Sequence, residues 1–296
     1  MDILPQLLLN SLIAGSIYAL TSSGLSLVYG LNRVLNFAHG HFMMVGAYFF
    51  YEANAQFGLG AVESFLIAAL VMAVLSALSF EIFISPFVGF SYFLPFVTTL
   101  ALATILESIV SMVWGVNVKS LSTGYSIESF EIYGVYITPV QIFIIISAII
   151  LLSLVAFIVH STSLGRKVRA LSQHEYAAES LGVSKRKVSY IIFIIGALMA
   201  AYAGVLIGFE TNIQPTMGNA YTIKAFAAMI LGGLGNFWGT IFGSYILGLI
   251  ENLSIGLDLG DYSIPAGYKD AFAFLIILIV LLFKPQGLFN RKSRVA

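Results

Sequence analysis

The chain is dominated by long apolar runs, each close to the length that a helix needs to cross a lipid bilayer. A membrane-spanning helix requires about 20 predominantly apolar residues. None of the runs shows the alternating ten-residue pattern of an outer-membrane β-barrel. We therefore expect an all-α polytopic membrane protein with about eight membrane-embedded helices, some of them interrupted, in a single domain over residues 1–296. The approximate bounds of the runs are 7–29, 35–56, 61–84, 94–116, 138–160, 187–209, 222–250 and 266–283.

Composition removes several other classes of protein. Charged residues make up 9% of the chain, against about 25% in soluble domains, so a soluble enzyme is excluded. The 14 basic residues are balanced by 14 acidic ones, which leaves no basic excess for binding nucleic acid. The absence of cysteine excludes disulfides and thiolate metal sites.

No catalytic motif is present. The sequence has no GxSxG, HExxH or Walker A pattern. We expect no enzyme activity and no metal site, and any ATP-driven process must rely on a separate ATPase.

Basic residues orient the chain, because Lys and Arg collect on the cytoplasmic side of short loops. The loop 161–186, with Lys187 at its edge, and the C-terminal tail after residue 283 hold 10 of the 14 cations. Both regions are therefore expected to be cytoplasmic. The orientation of the N-terminus stays open: five full crossings before the loop place it outside, whereas an interrupted segment over 24–56 places it inside.

The run 222–250 is interrupted by glycine. Its centre, residues 231–239, reads LGGLGNFWG, which is poor helix-forming sequence. We expect two tilted or half-length helices around a break. This interpretation also restores an even number of crossings between the basic loop and the C-terminus.

Small residues recur every fourth position in two places, which allows helix backbones to approach closely. Glycine and alanine are also simply common in membrane helices, so packing is one of two interpretations. The residues in question are Gly196, Ala200, Gly204 and Gly208 in one set, and Gly235, Gly239 and Gly243 in the other.

Polar residues inside apolar runs are candidates for a substrate path, because charge in a bilayer is costly and usually marks a pathway or a buried pair. Glu107 lies near the middle of its run, and it either lines a path, bonds a neighbouring helix or is protonated. His39 and His41 are two residues apart and point to different sides of a helix, which argues against a metal pair. The candidate path residues are Asn36, His39, Thr99, Glu107 and Asn236.

The basic loop is expected to carry a short helix over 172–182. Ser172 is the predicted N-cap, with Glu175 completing a capping box, and Gly182 is the predicted C-cap. Small residues on such a helix can enter a groove on a partner; the alternative is a solvated loop that only sets topology.

Four motifs in order give the chain a resemblance to a known family. The loop is similar to the Ala-Ala…Gly coupling motif of ABC importer permeases. The other three motifs resemble those of the branched-chain amino acid (LivH-type) permeases, with a departure at His41, where that family usually has Glu. The matching residues are Ala177, Ala178 and Gly182 in the loop, Asn36–Tyr48, Lys224–Gly243, and Lys284–Phe289.

The resemblance implies a multi-pass permease of the bacterial inner membrane that imports branched-chain or other hydrophobic amino acids. Its implied partners are a homologous second permease, with a heterodimer favoured over a homodimer, two ATPase subunits that bind ATP and Mg, and an extracytoplasmic binding protein. The chain itself is expected to carry no cofactor. The residues implied in coupling to the ATPase are Arg169, Ser172, Gln173, Ala177, Ala178 and Gly182.

Two alternatives remain at this stage. A urea or amide importer belongs to the same family, and an ATP-independent channel or carrier needs no ATPase. A proton-coupled carrier would use Glu107 and His39 as a relay.

Overall fold

The computed structural model describes residues 3–88, 93–121, 129–132, 134–255 and 269–289. Helices dominate these ranges, in agreement with the predicted all-α class. Two π-helical turns, Glu52–Gln56 and Phe80–Ile84, extend the second and third helices. The helices are α1 (Leu4–Asn32), α2 (His39–Tyr51), α3 (Ala61–Ser79), α4 (Phe93–Trp114), α5 (Pro139–Ser161), α6 (Ser163–Gln173), α7 (Glu175–Ser180), α8 (Lys185–Glu210), α9 (Met217–Gly232), α10 (Phe237–Ile255) and α11 (Lys269–Phe283).

Four short strands form two antiparallel pairs in the described ranges. β1 (Lys119–Ser120) pairs with β4 (Asn212–Ile213), and β2 (Phe130–Ile132) pairs with β3 (Val135–Ile137). The first pair ties the segment after α4 to the segment after α8, so these two helices end on the same side of the bundle.

Five described helices are long and apolar enough to cross a membrane: α1, α3 with its π turn, α4, α5 and α8. The pair α9 and α10 counts as a sixth span if it is taken as one broken crossing. The expected total of about eight embedded segments is reached only by including α2 and α11, which have 13 and 15 residues. The second apolar run, 35–56, becomes α2 and its π turn, because residues 35–38 are not helical.

The predicted break in the run 222–250 is confirmed. α9 and α10 meet at an angle of 117° across residues 233–236. Gly233 and Gly235 have φ values of 111° and 75° there, a region that is costly for residues with a side chain. The expectation that Gly235 shares a helix face with Gly239 and Gly243 is wrong, because Gly235 lies in the turn and the other two lie on α10.

α1 lies at the centre of the bundle and contacts α5, α8, α9 and α10. It approaches α8 and α10 through glycine: a Cβ added at Gly24 would be 2.8 Å from the carbonyl oxygen of Gly196 on α8, and one added at Gly248 on α10 would be 2.8 Å from the carbonyl oxygen of Ser11. Hydroxyl pairs join it to α10, with Ser22 Oγ 2.5 Å from Ser244 Oγ and a bond from Thr240 Oγ1 to Ser26 Oγ. Hydroxyl side chains on the long apolar helix α1 thus fix its position along α10.

Two contacts at the ends of α1 give its direction relative to the basic loop. Gln6, in its first turn, bonds the backbone of Tyr136 just before α5. Asn32, at its other end, accepts a 2.5 Å bond from Ser189 in the first turns of α8. The N-terminal end of α1 therefore lies at the face of the bundle opposite the loop 161–186. We call the face that carries this loop the loop end.

The last described residues return to the loop end. Leu288 N donates to Leu231 O at 2.8 Å, at the end of α9. The 233–236 turn itself packs on Gly30, near the last turn of α1. The predicted cytoplasmic tail beyond residue 289, including Arg291, Lys292 and Arg294, lies outside the described residues.

Candidate functional site

The basic loop folds differently from the predicted helix over 172–182. α6 begins at a Thr162 N-cap and continues through Ser172, whose Oγ donates to Arg169 O. The N-cap of α7 is His174, whose Nδ1 accepts from Ala177 N at 3.4 Å. The predicted Ser172 cap and its capping box with Glu175 are wrong. Thr162 caps the start of α6, and this helix continues past Ser172.

The end of α7 matches the predicted glycine stop. Gly182 has φ of 84°, and its N–H donates to Glu179 O at 2.9 Å. Val183 N donates to Ala178 O at 3.1 Å. This pair of bonds is a Schellman motif, which satisfies the last carbonyls of the helix and fixes its exit toward α8.

The two alanines of α7 face different environments. Ala177 is exposed, whereas Ala178 is only 3% exposed and belongs to the main apolar core, with Leu171 of α6 and Val188 of α8. The expectation that both lie at the surface is therefore wrong for Ala178, whose inward direction follows from packing that the sequence did not show.

Sequence reasoning missed two large apolar residues beside Ala177. Tyr176 is 80% exposed and Leu181 is 85% exposed. Their apolar character next to Ala-Ala was the available signal. Together Tyr176, Ala177 and Leu181 form a surface that we call the α7 knob.

Arg169 is bonded to the end of α5, whereas Gln173 is exposed close to the α7 knob. The guanidinium of Arg169 donates to Val159 O and His160 O at 2.6 and 3.2 Å. It therefore caps the end of α5 and holds α6 against it. Gln173 is exposed at the end of α6, just before α7.

Glu107 of α4 lies in an open groove rather than in a closed core, with its side chain 26% exposed. Asn219 Nδ2 donates to Glu107 Oε2 at 3.0 Å, and His41 Nε2 lies 3.4 Å from the same oxygen. His41 itself is buried. The groove is lined by Thr104, Glu107, Ser108, Ser111, Met112 and Asn219.

The other four candidate path residues do not line this groove. Asn36, His39 and Thr99 are buried; Asn36 and Thr99 bond the backbone of the 33–38 segment, and His39 bonds α1. Asn36 Oδ1 accepts from Ala38 N, Thr99 Oγ1 accepts from Phe37 N, and His39 Nε2 donates to Thr21 O. Asn236 lies in the α9–α10 turn, where its side chain bonds Gly239 N and Phe289 O.

The small residues on α8 lie where neighbouring segments pack closely. A Cβ at Gly204 would overlap the carbonyl of Met43 on α2, and one at Gly208 would overlap the Leu121 side chain. Gly196 faces Gly24, as described above, and Ala200 is fully buried. On α10, Gly239 and Gly243 meet the backbone of α9 at Gly232 and Ala228.

A buried charge cluster was also missed. Lys224 of α9 forms ion pairs with Glu251 of α10 at 3.1 Å and Asp270 of α11 at 2.9 Å. Tyr18 of α1 donates to Glu251 Oε2 at 2.7 Å. A lysine inside an apolar run was the available signal, but its partners are 27 and 46 residues away along the chain.

Comparison with known proteins gives a consistent result. The family profile described as "Branched-chain amino acid transport system / permease component" matches residues 7–281. The high-affinity branched-chain amino acid transport system permease protein BraD of Pseudomonas aeruginosa is 32% identical over 97% of this chain and 95% of its own length. LivH of Salmonella typhimurium is 33% identical over the same shares.

Two further matches are more distant. The ribose import permease protein RbsC of Escherichia coli is 30% identical over 63% of this chain and 59% of its own length. Among solved structures, PsaBC from Streptococcus pneumoniae in complex with Fab superposes with a TM-score of 0.51 at 12% identity, covering 94% of this chain and 91% of that one. That likeness concerns the fold alone.

The apolar helices, the broken α9–α10 pair and the full-length sequence matches lead to one assignment: the chain belongs to the family of permease components of branched-chain amino acid transport systems.

Proposed function

We propose that the chain is the membrane-spanning subunit of an ATP-driven ABC importer for branched-chain or other hydrophobic amino acids. Its membership of the permease family supports this role, as do the names of its relatives. The observation that carries the proposal is the α7 knob, because exposed large apolar side chains on a short ordered helix are typical of an interaction surface.

The knob is firmly connected to the transmembrane bundle. Ala178 packs into the core beneath it, and an ion pair joins Glu175 of α7 to Lys185 in the first turn of α8. α8 in turn contacts α1, α2 and α3 along its length. A force applied to the knob by an ATPase subunit would therefore reach α8 and, through the close contact at Gly204, α2.

The translocation path is assigned to the groove on α4. Thr104, Glu107, Ser108 and Ser111 recur at spacings of three and four residues and so share one helix face. A carboxylate facing lipid would cost at least about 2.5 kcal/mol. A homologous second permease covering this face, in a heterodimer, would remove that cost and enclose a polar route.

The remaining features of the proposed complex follow from these assignments. Residues 1–296 act as one permease domain of the bacterial inner membrane, with the loop end and the C-terminus in the cytoplasm and the N-terminus outside. Two ATPase subunits bind the loop end and hold ATP and Mg, so this chain carries no cofactor and performs no hydrolysis. A binding protein delivers substrate to the opposite face.

The test is purification of a tagged full-length chain from its native membrane in mild detergent, with co-purifying proteins identified by mass spectrometry. We expect a second permease and an ATPase. Ala177→Trp should remove the ATPase but keep the second permease, and Ala177→Ser is the matched control. A chain that purifies without an ATPase in several detergents contradicts the proposal and favours a channel or carrier.

A further inference from the structure

The groove on α4 has a defined depth in the bundle. Trp114, at the end of α4, donates to Glu52 at 2.7 Å, and the β1 strand that follows pairs with β4 beyond the end of α8. Glu107 is seven residues before Trp114, which is about 10 Å along a helix. The carboxylate therefore lies within the length of the apolar helix α4, nearer to the face opposite the loop end.

The two carboxylate oxygens of Glu107 have different surroundings. Both of its hydrogen-bonding contacts with described residues involve Oε2, from Asn219 Nδ2 and His41 Nε2. Its second oxygen, Oε1, has no hydrogen bond to any residue in the described ranges. One oxygen is thus fixed by the protein while the other is available to a ligand.

The groups around this oxygen suit one kind of ligand. Thr104 and Ser108 are exposed and Ser111 is half-buried beside Glu107, and hydroxyl oxygens accept hydrogen bonds. Among the described residues that line the groove there is no Lys or Arg, and the nearby His41 is buried behind the carboxylate. A carboxylate among hydroxyls, without Lys or Arg in the described lining, favours a cationic group that carries several N–H donors.

The groove also has an apolar wall. Met112, one turn beyond Ser108, is 85% exposed. Its flexible thioether side chain can adapt to aliphatic groups of different shape. A ligand with an ammonium group next to a short aliphatic chain satisfies both parts of the groove.

We propose that Glu107 binds the ammonium group of the transported amino acid during passage, with Met112 against its aliphatic side chain. This inference rests on the proposed function and specifies a binding site within the path. The site offers a single charge, which suits weak binding in a subunit that must release what it binds.

The natural absence of cysteine allows a direct test. In the purified complex, Ser108→Cys introduces the only thiol of this chain, and its alkylation by N-ethylmaleimide is followed by mass spectrometry of this subunit. Three ligands are compared: L-leucine, isopentylamine, which keeps the ammonium group, and 2-hydroxy-4-methylpentanoate, which replaces it with a hydroxyl. Ile109→Cys, on an exposed neighbouring face of α4, is the control thiol.

We expect leucine and isopentylamine to slow alkylation at position 108 by about threefold at twice their Kd, since labelling falls as 1 + [L]/Kd. The hydroxy acid should not slow it, and Glu107→Gln should abolish protection by both amines. Alkylation at position 109 should be insensitive to all three ligands.

Equal protection by the hydroxy acid, or protection that survives Glu107→Gln, overturns the ammonium site. Absence of protection by leucine in a complex that still imports leucine with ATP also overturns it and leaves the proposed function intact. Failure of the proposed function would appear in a different experiment, as a tagged chain that purifies without an ATPase. The alkylation measurement does not depend on that result.

Discussion

Lys224 Nζ on α9 lies 3.1 Å from Glu251 Oε1 on α10, so a buried ion pair joins the two arms of the broken α9–α10 helix pair. Both side chains are almost fully buried. Asp270 extends the pair to α11, with its side chain 44% exposed. The ion pair thus joins α9 and α10 at a distance from the 117° turn that connects them.

The first prediction concerns this pair. Lys224→Met should destabilise the protein by about 3–5 kcal/mol, because it leaves Glu251 buried without a counter-charge. The double variant Lys224→Met with Glu251→Gln should recover most of the loss, since neither charge then remains buried. Thermal unfolding of the detergent-solubilised chain measures both. A double variant as unstable as the single one would show that Lys224 does not stabilise the protein by neutralising Glu251.

The second prediction separates the two alanines of α7. Ala178→Trp should lower stability, because overpacking a filled core costs about 1–3 kcal/mol or more. Ala177→Trp should leave stability unchanged and block ATPase binding, since position 177 is exposed. Unfolding temperature and ATPase co-purification are measured for both. Equal loss of stability at the two positions would contradict the assigned direction of α7.

The third prediction tests the α8–α2 contact. Gly204→Val should cost about 1–3 kcal/mol or more, because the new side chain overlaps the Met43 backbone, which cannot rotate away. Ile191→Val, on an exposed position of α8, is the control and should be close to neutral. The readout is the unfolding temperature in detergent, and similar values for the two variants would refute the close approach.

The fourth prediction uses two glycines with nearly the same positive φ. Gly235 and Gly115 have φ values of 75° and 79°, so alanine should cost about 1–2 kcal/mol at either position through left-handed strain. At Gly235 the Cβ would also lie 3.1 Å from Gly30 Cα, whereas at Gly115 it would have no atom of another described segment within 4 Å.

Gly235→Ala should therefore be more destabilising than Gly115→Ala, and the difference measures packing of the turn on α1. If the two variants lose equal stability in thermal unfolding, the turn does not depend on close contact with α1.

Features that depend on local sequence were predictable. The LGGLGNFWG stretch predicted the break between α9 and α10, because adjacent glycines disfavour helix wherever they occur. Gly182 predicted the end of α7, because glycine readily adopts the left-handed conformation that ends a helix. The long apolar runs gave the membrane class and most of the helices.

Features that depend on distant partners were not predictable from one sequence. Ser172 looked like an N-cap, but the preceding helix extends past it from Thr162. Ala178 looked exposed, but the core packing of α6 and α8 covers it. Thr99 and His39 are predicted path residues, and the sequence did not show that each is buried and bonds backbone of another segment.

ATP-dependent uptake by the reconstituted complex shows whether the chain works as an importer subunit driven through the α7 knob. Proteoliposomes containing the purified complex are loaded with ATP and Mg, with binding protein outside, and accumulation of labelled leucine is measured for the wild-type chain, Ala177→Ser and Ala177→Trp. We expect uptake that requires ATP, persists in Ala177→Ser and is lost in Ala177→Trp. Uptake without ATP that follows a pH gradient, or full uptake by Ala177→Trp, would contradict it.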